Sequence, residues 1–101
     1  MILHINTTNK KSVTVTLKKE GKALKSLTQE NEYGSQVLLP LIDKLVRSQK
    51  LTFKDLKRIE VNTGPGSFTG IKVGVAVANA LGFSLNIPVN GKKVENDLKY
   101  L

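Results

Sequence analysis

Residues 64–70 read GPGSFTG, three glycines and a proline in seven positions, and an apolar segment follows at once. Just before them, Ile59 and Val61 alternate at strand spacing over residues 58–62. A strand, a glycine turn and an immediate helix form the layout that can present backbone N–H groups to an anion. The loop nevertheless lacks the Gly-Lys-Ser/Thr ending of a P-loop, and its glycine spacing is not that of a dinucleotide fingerprint. Ser67 stands where a nucleophile elbow would place its serine. The chain holds one histidine, His4 in the first strand, and no cysteine, so no acid and histidine pair activates it. Ser67 therefore reads as a helix cap.

The helix expected over residues 68–81 carries a second constraint. Gly70, Gly74, Ala78 and Gly82 recur every fourth residue and share one side, while Ile71, Val73, Val75, Val77 and Leu81 cover much of the rest. Glycine inside a helix costs about 0.5–1 kcal/mol relative to alanine, so the stripe implies close approach by another element. Two readings stay open at this point: packing on the domain's own sheet, or a face left free for a partner helix.

The rest of the chain supplies the frame. Residues 1–6 read as a strand, Val13, Val15 and Leu17 as a second, and residues 23–30 as a more polar third strand at an edge, with Gly21 in the turn between the last two. The period then changes. Val37, Leu38, Leu41, Ile42 and Leu45 follow helical spacing over residues 35–49, with Ser35 as the cap and Pro40 inside the helix. Thr52 and Asp55 form a capping-box pattern. Leu85, Ile87 and Val89 suggest a last strand, and Val94, Leu98 and Leu101 a helix over residues 92–101. This order predicts an α/β fold with a mixed five-stranded sheet, one ribonuclease-H-like half of an actin-type architecture.

At 101 residues the chain fits one domain, with residues 1–91 as its body and 92–101 as a tail. Sixteen Lys and Arg against eight Asp and Glu give a net charge of +8, which suits an acidic partner and leaves open a small RNA-binding module. The aromatics Tyr33, Phe53, Phe68, Phe83 and Tyr100 are scattered and form no stacking platform. Residues 73–83 are the longest apolar stretch and fall short of the roughly 18 residues of a membrane span, and the N-terminus lacks a signal-peptide layout. The expectation is a cytoplasmic protein.

Residues 63–74, TGPGSFTGIKVG, with the helix after them, resemble the signature of the TsaB (YeaZ) family. ILHINTT is similar to that family's opening strand and turn, SVTVTLKKEGK to its hairpin, SQVLLPLIDKL to its first helix, and Ile87-Pro88-Val89 to the strand after the signature helix. The likeness covers residues 1–91 as the family's N-terminal subdomain, without the second. It implies a role in making threonylcarbamoyladenosine in tRNA, as a non-catalytic partner of the catalytic relative TsaD, working with the ATPase TsaE. A homodimer when alone and indirect contact with tRNA are further implications. Carried over, the pairing surface comprises Val37, Leu38, Leu41, Leu45, Gly70, Val73, Gly74, Val77 and Leu81, with Gly64, Pro65, Gly66, Ser67, Phe68, Thr69 and Gly70 as the signature loop. No catalytic, cofactor or metal residues are expected. The histidine pair that TsaD-like proteins carry on the first long helix has no counterpart here, and Asn6 replaces the family's first-turn aspartate.

Overall fold

We describe residues 1–30 and 34–94 of the chain in a computed structural model. Ile2–Asn6 forms β1, Ser12–Lys19 β2, Lys22–Glu30 β3 and Arg58–Val61 β4. Gly34–Ser48 forms α1 and Phe68–Leu85 forms α2. The strands build one sheet in the order β3-β2-β1-β4. β1 runs antiparallel to β2, with Ile5 opposite Val15, and β2 antiparallel to β3, with Val15 opposite Leu27. β4 returns beside β1 in parallel, Ile5 opposite Val61, after the crossover through α1. The tight turn between β2 and β3 puts both Glu20 and Gly21 at positive φ, 53° and 79°, the geometry that matches the twist of a two-residue hairpin.

Period-two alternation decides which face is covered. Leu3, Ile5, Val13, Val15, Leu17, Ile59 and Val61 are buried beneath the helices, each such side chain contributing about 1.5–3 kcal/mol. The intervening His4, Asn6, Thr14, Lys18 and Glu60 lie half-buried on the opposite, polar face. Helix α1 supplies Leu38, Leu41, Ile42, Leu45 and Val46 to the core at i, i+3, i+4, i+7 and i+8. The 3₁₀ turn Phe53–Asp55 follows it, and the Asp55 carboxylate accepts from the Thr52 N–H at 2.8 Å, the acidic half of the expected capping box.

Four local expectations change. The sheet has four strands among the described residues, and the fifth shrinks to an isolated parallel bridge between Ile59 and Val89. Leu85 belongs to the last turn of α2, which ends at Asn86 in the left-handed conformation, φ 55°. What remains is too short for a strand, and the Asn90 side chain takes over the ladder. Its Oδ1 accepts from Val61 N at 2.8 Å and its Nδ2 donates to Val61 O at 3.0 Å. α2 thus spans 18 residues with a mean hydropathy of 1.4, long and apolar enough by length and composition to cross a membrane, though its glycine stripe is laid on the sheet. α1 begins at Gly34, which places Ser35 inside the helix. Lys92 bridges back to Val89 in a tight turn, so the tail is not helical there. The remainder of the helix expected over residues 92–101, residues 95–101, lies outside the described residues.

Candidate functional site

The glycine loop and the turn after β1 interlock. Gly64 and Gly66 have φ of +127° and +154°, values an L side chain rarely adopts, and a Cβ on Gly66 would strike the Thr8 backbone. The close approach is fixed by the Ser67 N–H, which donates to Thr8 O at 2.7 Å. Thr7 is fully buried and its Oγ1 donates to Gly70 O at 2.6 Å, so a threonine of the β1–β2 turn grips the first turn of α2. The Ser67 hydroxyl accepts from the Gly70 N–H at 3.2 Å, the capping role expected of it. Gly64 N–H goes to Asn62 Oδ1 at 3.0 Å. The N–H groups of Gly64, Ser67 and Gly70 are thus spent within the chain rather than converging on an anion.

The same turn explains the stripe. A Cβ on Gly70 would overlap Thr7 O, one on Gly74 the Thr7 Oγ1, and one on Gly82 the Val89 side chain. Gly70, Gly74, Ala78 and Gly82 are all buried against their own domain. Of the expected partner residues, Leu38, Leu41 and Leu45 are likewise core, at 0%, 5% and 0% exposure. These five, Leu38, Leu41, Leu45, Gly70 and Gly74, cannot meet a partner, because the sheet already covers them. Val37, Val73, Val77 and Leu81 stay half-buried and reach the surface.

The outward side of α2 is then set by geometry. Lys72, Ala76, Ala80 and Phe83 are exposed along it, and Lys72 is the helix's single charged residue. Phe83 is 47% exposed and Phe68 72%, with the Lys72 ammonium 4.6 Å above the Phe68 ring. Next to this side, Leu39, Pro40, Asp43, Phe53 and Leu81 line a shallow hollow of about 480 Å³ between the helices. Leu39, Pro40, Ala76, Ala80 and Phe83 were not singled out by sequence. Leu39 carried the signal: an apolar residue out of phase with the core stripe of α1.

On the polar sheet face, Glu60 joins three strands. His4 Nδ1 lies 3.2 Å and Lys18 Nζ 3.3 Å from its Oε1. An ionised carboxylate only accepts, so the ring presents Nδ1–H. Burial pushes the Glu60 carboxyl up, but the hydrogen bonds from His4 and Lys18 outweigh it and hold the pKa below the ordinary value. Among the described residues no group of three metal-binding side chains gathers.

A half-open sheet whose first turn and post-β4 loop interlock beneath a glycine-striped helix defines one lobe of a ribonuclease-H-like, actin-type fold. The arrangement is shared by YeaZ from Pseudomonas aeruginosa, 30% identical with a TM-score of 0.78 over 87% of this chain and 41% of that one. Residues 28–91 match the family model described as TsaD: tRNA N6-adenosine threonylcarbamoyltransferase. The tRNA threonylcarbamoyladenosine biosynthesis protein TsaB of Bacillus subtilis (strain 168) is 32% identical over 88% of this chain and 39% of its own length. The protein of the same name from Buchnera aphidicola subsp. Schizaphis graminum is 43% identical over 54% of this chain and 26% of its own. The chain belongs to this family, and these relatives place it with TsaB (YeaZ). It spans 39% or less of the length of these two curated relatives.

Proposed function

We propose that the chain is a non-catalytic, TsaB-like partner of a TsaD-type protein in cytoplasmic tRNA threonylcarbamoyladenosine formation. The observation that carries this reading is the outward side of α2, where Ala76, Ala80 and Phe83 with half-buried Val73 and Val77 form an apolar strip uncovered by the described residues. A helix apolar on two sides needs cover on both, and the sheet supplies only one. The hollow lined by Leu39, Pro40, Phe53 and Leu81 continues the strip onto α1 and gives a partner helix a groove to enter.

A non-catalytic role is supported by the loop geometry, since Ser67 caps a helix and the loop N–H groups close on Asn62, Thr8 and Ser67. Asn6 uses its Oδ1 on the N–H and hydroxyl of Thr8, at 3.1 and 2.7 Å, and braces the turn. The test is light scattering on the chain mixed with TsaD from the same organism. A one-to-one complex that survives raised salt supports the reading, because an apolar interface is far less salt-sensitive than phosphate contacts. Absence of any complex at micromolar concentrations counts against it.

A further inference from the structure

The strand order leaves β3 at the rim of the sheet, its outer side unpaired among the described residues. Lys22–Glu30 is exposed at every position except Leu27, and Leu24, at 46% exposure, is the large apolar residue on it. Such a strand is a template for another strand.

We propose that β3 pairs antiparallel with β3 of a second copy, about a two-fold axis at Ser26. The register that pairs all nine residues puts Lys22 opposite Glu30 at both ends, Lys25 opposite Leu27 and Leu24 opposite Thr28. Opposite charges directly across a ladder stabilise it and like charges oppose it. A shift of two one way sets Lys25 against its own copy, and a shift of two the other way leaves Lys22 and Glu30 without each other. A shift of one sets the helix-side face of one copy beside the polar face of the other. Parallel pairing would set every charge against its like.

The polar face continues across the same axis. Thr14 and Thr28 hydroxyls meet at 2.9 Å, and Thr16 and Ser26 at 2.7 Å. With Ser26 opposite its copy, that row of hydroxyls runs unbroken from one β2 to the other. The register break at Leu17 and Lys18 gives β3 an extra residue where Leu24 stands exposed, and the pairing covers it with Thr28 of the second copy. Lys22 and Lys25 then act as selectors, admitting this register and repelling others. The edge lies apart from the outward side of α2, so the inference stands independently of the proposed function.

The chain has no cysteine, which makes the test direct. In Ser26→Cys the two thiols face each other with Cα atoms about 4.5–5.5 Å apart, within disulfide range. In Thr28→Cys they are about 13 Å apart along the ladder. Mild oxidation should give a covalent dimer of the first variant and leave the second monomeric. Cross-linking of both alike, or of neither, overturns the proposal. By sedimentation, Lys22→Glu and Glu30→Lys should each weaken dimerisation about tenfold or more, and the double reversal should restore it. These positions are exposed, so circular dichroism should stay unchanged. A double reversal as weak as the single ones also overturns the pairing.

Discussion

Thr7 and Gly70 meet without room for a single added carbon. A Cβ at residue 70 would overlap Thr7 O, a backbone atom that can move only with the β1–β2 turn, itself tied to Ser67 N–H through Thr8 O. Gly70→Ala gains about 1 kcal/mol of helix propensity. The overlap costs about 1–3 kcal/mol, so net destabilisation is expected as a lower urea midpoint with an unchanged slope. Ser67→Ala removes the cap on Gly70 N–H and should cost about 0.5–2 kcal/mol, largely recovered in Ser67→Asp. Glu60 behaves differently because its contribution depends on charge. Its folded pKa lies below the unfolded value near 4.5, so its stabilisation is complete above that value and lost as pH falls through the folded one. Glu60→Gln should therefore lower Tm at neutral pH and cease to differ from the native chain under strongly acidic conditions. The site is partly exposed, and solvent screening keeps the neutral-pH effect small.

At the scale of elements, helix α2 shows how far a sequence can be read. The strand, the glycine turn, the helix start and the small-residue stripe at 70, 74, 78 and 82 were all legible from spacing. The stripe's direction was not, because a helix apolar all round carries no phase of its own. The phase comes from a long-range contact: Thr7, more than sixty residues earlier, grips Gly70 and turns the small side inward. That contact moves Gly70 and Gly74 from the expected partner surface into the core and brings Ala76, Ala80 and Phe83 outward. In α1 the core stripe was readable, but it also contains Leu38, Leu41 and Leu45, which sequence could not separate from a partner face. The missing fifth strand has a similar cause, since Asn90's amide imitates a ladder that the short segment after Asn86 could not form. Substitutions distinguish the two sides. Leu41→Asp should unfold the chain, by burying an unpaired charge in the core, whereas Ala80→Asp should leave thermal unfolding nearly unchanged.

For the whole molecule, one sheet face is covered by two helices and the other is polar, while an apolar helix side and a lysine-bearing strand edge face away from the core. Those two surfaces are separate, so a complex through α2 and a pairing through β3 are compatible in one assembly. The central claim is that the outward side of α2 seats a TsaD-type partner, and its most direct test is a titration of this chain into TsaD from the same organism. The account predicts a one-to-one complex of micromolar or tighter affinity, weakened by about 100-fold or more in Ala80→Asp because an unpaired charge is buried in the contact. No complex, or a complex whose affinity is the same for the native chain, Ala80→Asp and Phe83→Asp, would contradict it.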